Sequence, residues 1–185
     1  MHFFLDAFIV SGREKILDVG GVPEFWNDIP VIERVTLLNL QAFPDSDRIH
    51  SVCYGGGCFP FVDAEFDVVF SNSTLEHVLG LENQKLFAAE ARRVGKGYFI
   101  QTPSLLFPFD PHALLPFFNF LPRSLKKVYL HLCHRSFYPD RELLDIRLLS
   151  RRSLQRLFPD GKIAVERLCG WPKSYVVYKR KESVE

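Results

Sequence analysis

Asp18-Val19-Gly20-Gly21 ends the first apolar run of the chain with a carboxylate one residue before two glycines. A glycine turn at a strand end lets the backbone approach a nucleotide, and a following helix N-terminus offers free N–H groups. Taken alone, the four residues also fit an ordinary strand-ending turn. The full G-x-G-x-x-G fingerprint is absent, which argues against a dinucleotide pyrophosphate site. Later in the chain, Ser73-x-x-Glu76 fits a helix capping box, with Glu76 reaching back to the Ser73 N–H. His77 is open to two readings, a packed core histidine or a group lining a pocket. Asp110-Pro111-His112 follows a strand-like run. There an Asp or His could orient a substrate or accept its proton, and a turn fixed by prolines is the alternative.

The remaining reactive side chains point to less. Cys53, Cys58, Cys133 and Cys169 form no C-x-x-C pair. They read as reduced thiols of a cytoplasmic protein. Cys53-x4-Cys58 with His131, Cys133 and His134 offers enough zinc ligands, but at no standard spacing, so no metal site is expected. G-x-S-x-G, H-E-x-x-H and G-K-[ST] are all missing.

Strands must hold these groups. Lys15 to Gly21 and Val35 to Leu40 read as buried strands, with Val22 to Pro30 leaving room for a short helix between them. Ile49 to Cys53 is a weaker strand; Phe66 to Ser71 and Gly97 to Thr102 are clear ones, the last stopped by Pro103. A helix over 81–93 joins these two, with Phe87, Ala91 and Val94 at i, i+4, i+7 facing the sheet. Ser153 to Phe158 reads as a helix stopped by Pro159-Asp160-Gly161, and Lys162 to Cys169 and Ser174 to Lys179 as a closing β-hairpin. Strands alternating with helices imply a mostly parallel α/β sheet. Phe3 to Val10 is apolar but far too short to span a bilayer, and is expected to pack as a short helix. The segment 104–140, with Pro108, Pro111, Pro116, Pro122 and Pro139 and many phenylalanines, breaks the rhythm. A loop of this length is expected to be a substrate lid or binding surface.

The 185 residues fit a single domain, 1–185, and 47% apolar residues suffice for its core. Lys plus Arg (23) balance Asp plus Glu (22), which argues against a nucleic-acid partner needing a basic face.

The ordered string from Phe59 to Val78, after the glycine turn and before Glu90-Ala91-Arg92-Arg93-Val94 and Gly97 to Pro103, resembles class I S-adenosylmethionine (SAM)-dependent methyltransferases. It looks closest to the small bacterial type 11 group, and Gln101-Thr102-Pro103 with Phe107 to His112 is similar to a stretch some of them carry. The resemblance implies a Rossmann-like, seven-stranded sheet with SAM as cofactor across the C-terminal ends of its first strands. By matching position, Asp18, Gly20 and Gly21 would border the methionine part, and Asn39 would meet the ribose. Gly55 and Gly56 would lie beside adenine, and Ser71 and Asn72 near the sulfonium. Apart from the resemblance, the apolar segment after the fifth strand reads as an acceptor pocket walled by Phe107, Phe109 and Phe117, with His77 and Asp110 contacting the acceptor and His112 as the catalytic base facing the methyl group, or else as a homodimer interface or extra core.

The chain departs from the family pattern in two places. Asn39 stands where an acidic residue is usual, and Gly55-Gly56-Gly57 where an Asp often sits. A charged acceptor contributes ~1.5–3 kcal/mol and a neutral one about 1. Losing two such partners weakens cofactor binding by roughly tenfold to a few hundredfold. Two functions follow: a methyltransferase acting on a small-molecule or lipid-like acceptor, or a degenerate methyltransferase fold serving as a non-catalytic scaffold. With about a dozen residues before the first strand, a cap over the pocket is expected to be missing or supplied by a partner.

Overall fold

β1 (Ile16–Val19) is buried at every position, as a continuous apolar run requires of a central parallel strand covered on both faces. The sheet of the computed structural model, which describes all residues except 10, 30, 31, 134–137 and 181–185, grows outward from it. β2 (Val35–Asn39) and β4 (Val68–Asn72) pair with its two edges in parallel, placing Leu17 opposite both Thr36 and Val69. β3 (Ile49–Cys53) adds outside β2, and β5 (Tyr98–Pro103) outside β4, both parallel. β6 (Lys162–Leu168) and β7 (Trp171–Lys179) form a hairpin, and β7 runs antiparallel to β5. The seven strands stand in the order β3-β2-β1-β4-β5-β7-β6. Chain connections leave β1 and β4 toward opposite edges, so a crevice opens above their C-terminal ends.

Helices cover both faces. α3 (Leu81–Val94) buries Phe87, Ala91 and Val94, the residues whose spacing predicts that face. It packs with α6 (Arg151–Leu157) over Leu17, Val69 and Ile100. On the opposite face α1 (His2–Phe8) and α2 (Pro23–Asn27) bring Phe4 and Trp26 onto Ile16, Phe70 and Phe99. The second hairpin strand begins at Trp171, ahead of the expected Ser174. Cys169 and Gly170 take φ of 50° and 82°, a left-handed pair that turns the chain tightly enough to resume pairing at once. Among the described residues no helix is long and apolar enough to cross a membrane.

The segment after β5 is folded on its own core. A two-stranded ribbon pairs Phe109–Asp110 with Leu115–Pro116, and a 3₁₀ turn, Phe118–Phe120, follows. α4 (Arg123–Cys133) and α5 (Asp140–Asp145) then close over Ala113, Leu115, Phe118, Leu130 and Leu143.

Phe4 is fully buried, with its ring 4.7 Å from that of Phe70 and 5.3 Å from that of Phe99. Phe4→Ala removes this contact and leaves a cavity, so it should destabilise the protein by about 3–5 kcal/mol in urea unfolding.

Candidate functional site

The turn after β1 is too tight for side chains. Gly20 has φ of 82°, and a Cβ there would stand 2.3 Å from Thr74 Cγ2. A Cβ on Gly21 would stand 1.7 Å from Asp18 Oδ2. Asp18 therefore lies beneath the turn, 1% exposed, where Trp26 Nε1 donates to its Oδ2 at 2.7 Å. Its Oδ1 has no hydrogen-bond partner among the described residues, and burial pushes the carboxyl pKa up to about 7. The turn is fastened from both sides. The Gly20 N–H donates to the Leu38 carbonyl at 2.9 Å, and Asn39 Nδ2 donates to the Gly21 carbonyl at 3.0 Å. The Ser71 hydroxyl donates to the Val19 carbonyl at 2.9 Å. Asn39 Oδ1 accepts the Leu40 N–H at 2.7 Å, which uses one of its two lone pairs.

A cavity of about 770 Å³ opens above this turn. Val19, Gly20, Leu38 and Asn39 border it from the first two strands, and Tyr54, Gly55, Gly56, Gly57 and Phe59 from the loop after β3. Phe59 is held there by hydrogen bonds between its backbone and charged side chains of α3. Its N–H donates to Glu90 Oε2 at 2.7 Å, and Arg93 donates to its carbonyl at 3.1 Å while pairing with Glu90. Thr74, His77, Asn83 and Phe87 line a further side, and Tyr138 reaches it from beyond α4. The lining holds no carboxylate, lysine or arginine among the described residues.

Behind His77 lies a polar cluster. Glu76 is fully buried, with Oε2 accepting the Thr102 hydroxyl at 2.9 Å and Oε1 3.9 Å from His112 Nε2. The rings of His77 and His112 meet edge-on at 4.9 Å, and that of Tyr138 is 5.8 Å from His112. Burial raises the Glu76 pKa to about 7 and lowers those of both histidines. Asp110 Oδ1 accepts the His112 N–H at 2.9 Å, which fixes the turn that presents His112.

The expected site residues separate. Gly20, Asn39, Gly55, Gly56 and His77 border the cavity. Gly21 is part of the turn but outside the lining, Asp18 and Ser71 support the turn from below, and Asn72 is exposed at the end of β4 outside the lining. Phe107, Phe109 and Phe117 do not wall the cavity; Phe109 and Phe117 are exposed on the segment after β5, whose own core turns them outward. Asp110 and His112 are buried behind His77, so His112 does not face the cavity directly. The capping box does not form: the Ser73 hydroxyl donates to Gln101 Oε1, and Glu76 turns inward to Thr102. All four cysteines are exposed and unpaired, and of the zinc set considered above His134 lies outside the described residues. Thr74, Tyr54 and Tyr138 went unpredicted. Thr74 and Tyr54 adjoin motifs that sequence alone singles out, whereas no local signal connects Tyr138 to strands so far upstream.

Residues 38–100 match the family model of a methyltransferase domain. No curated protein matches the chain. A SAM-dependent methyltransferase from Methanosarcina mazei is 13% identical, with a TM-score of 0.60 over 95% of this chain and 96% of that one. The chain has the class I methyltransferase fold. A SAM-dependent methyltransferase from Aquifex aeolicus is 14% identical over 95% of this chain and 90% of its own, with a TM-score of 0.52. Geranyl diphosphate C-methyltransferase from Streptomyces coelicolor, determined with Mg2+, geranyl diphosphate and S-adenosyl-L-homocysteine, is 12% identical, with a TM-score of 0.60 over 98% of this chain and 76% of that one. Within this class I frame the cavity occupies the crevice above β1 and β2.

Asp18 provides a pH test of the turn. A carboxyl whose pKa rises from 3.8 to about 7 on folding costs nothing below pH 4, and its cost grows as pH climbs toward 7. Asp18→Asn keeps an acceptor for Trp26 and removes the charge. Its melting temperature should exceed that of the parent at pH 8 by more than ~2–4 °C, and the gap should close on titration to pH 4.

Proposed function

We propose that the protein transfers the methyl group of S-adenosyl-L-methionine to a small-molecule or lipid-like acceptor. The observation that carries this reading is the cavity over the glycine turn, whose volume suits a nucleoside-sized ligand. Its residues fit the cofactor. Asn39 keeps an amide oxygen lone pair at the end of β2, and Tyr54, Phe59 and Phe87 supply apolar surface for a purine. No Cβ contact within 4 Å would be met at Gly55, Gly56 or Gly57, so the loop after β3 leaves open space beside them. When bound, the cofactor supplies a methyl group already activated on a sulfonium, so the chain's task is to position the acceptor and exclude water. His77 borders the cavity, with His112 and Glu76 behind it as the polar groups available to orient an acceptor oxygen or nitrogen.

A non-catalytic scaffold is the second reading, favoured by Asn39, whose amide serves the protein's own turn and carries no charge for the ribose. Calorimetry with S-adenosylhomocysteine decides whether the cavity binds. Micromolar affinity is expected, falling roughly tenfold in Asn39→Ala as one neutral hydrogen bond is lost. No heat and no thermal shift would overturn the cofactor reading. Binding without transfer of labelled methyl into any small-molecule or lipid extract would leave the scaffold.

A further inference from the structure

Two elements that are distant in sequence bring three metal-ligating side chains together beside the cavity. Glu76 and His77 come from the 3₁₀ turn after β4, and His112 from the turn after the first ribbon strand. One ligand atom from each lies within 4.8 Å of the others. Glu76 is fully buried, and its Oε1 has no hydrogen-bond partner among the described residues. A buried carboxylate oxygen left unsatisfied is costly, and native structures rarely keep one without a reason. Its sister Oε2 is held by the Thr102 hydroxyl, so the carboxylate is already oriented. Asp110 likewise fixes the His112 backbone.

We propose that Glu76, His77 and His112 bind one divalent transition-metal ion. One carboxylate and two imidazoles suit Zn²⁺, Mn²⁺, Fe²⁺ or Co²⁺, and three protein ligands leave coordination positions open. His77 lines the cavity, so the ion would stand at the edge of the space where the acceptor would enter. Resting on the methyltransferase reading, the substrate class is then an acceptor with two neighbouring oxygens, such as a vicinal diol or a hydroxy acid. Such a pair could complete the ion's coordination and be held for alkylation. Thr102 is a positioning residue, acting on the ion through Glu76.

The test uses the full, untagged chain stripped with a chelator, then titrated with Co²⁺ and Zn²⁺ by calorimetry and visible spectroscopy. One ion per chain is expected, with Co²⁺ absorption in the visible. Glu76→Gln, which preserves the acceptor for Thr102, and His112→Ala should each abolish the site. Thr102→Val should weaken it by ~10–100-fold. Circular dichroism checks that the variants fold. Failure of the stripped chain to bind either ion overturns the proposal. So do Glu76→Gln and His112→Ala variants that bind as the parent does, or a near-ultraviolet thiolate band placing the ion on a cysteine. Metal binding is read without cofactor, and S-adenosylhomocysteine binding without metal, so either result can fail while the other stands.

Discussion

The closeness of the chain to itself at Gly20 and Gly21 is the constraint on which the site depends. With a side chain at either position, the turn would collide with Thr74 or with the Asp18 carboxylate. Because neither is present, β1 can end directly under the crevice, and its backbone becomes part of the cavity lining. The same tightness buries Asp18, and Trp26 is drawn from α2 to satisfy one of its oxygens. Asn39 is drawn from β2 to the Gly21 carbonyl. A carboxylate, an indole and an amide thus serve a turn of two residues that carry no side chains.

The sheet could be read from sequence because its elements are local: apolar runs of strand length, glycine turns, and a helix whose buried positions recur at helical spacing. Phe87, Ala91 and Val94 show how completely such a pattern dictates a face. Of the residues that sequence alone singles out, Gly20, Asn39, Gly55, Gly56 and His77 border the cavity. Side chains whose partners are distant were misplaced. Ser73 and Glu76 have the spacing of a capping box, yet Gln101 and Thr102 on the neighbouring strand offer each a better partner. The phenylalanines after β5 suggested a pocket wall. What organises them is a separate core of Ala113, Leu115, Phe118, Leu130 and Leu143, which only the folded chain reveals.

Two bodies of structure meet at Glu76. Below it lies the main sheet, through Thr102 on β5. Beside it lies the segment after β5, through His112 and through the Arg147 N–H, which donates to the Glu76 carbonyl at 2.9 Å. A bridge between Ser104 and Leu149 ties the two ends of that segment together at its root. The described residues of the segment are thus tied at the root and packed around their own interior.

β7 lies between β5 and β6 in the sheet, but the whole stretch from 104 to 170 separates it from β5 along the chain. On a ribosome, β1 to β5 can assemble as an open parallel sheet well before residues 171–179 appear. Until then one edge of β5, with the buried Tyr98, Phe99 and Ile100, has unpaired backbone groups and uncovered apolar side chains. An edge left open through that stretch of synthesis is the kind of surface that other chains and chaperones bind.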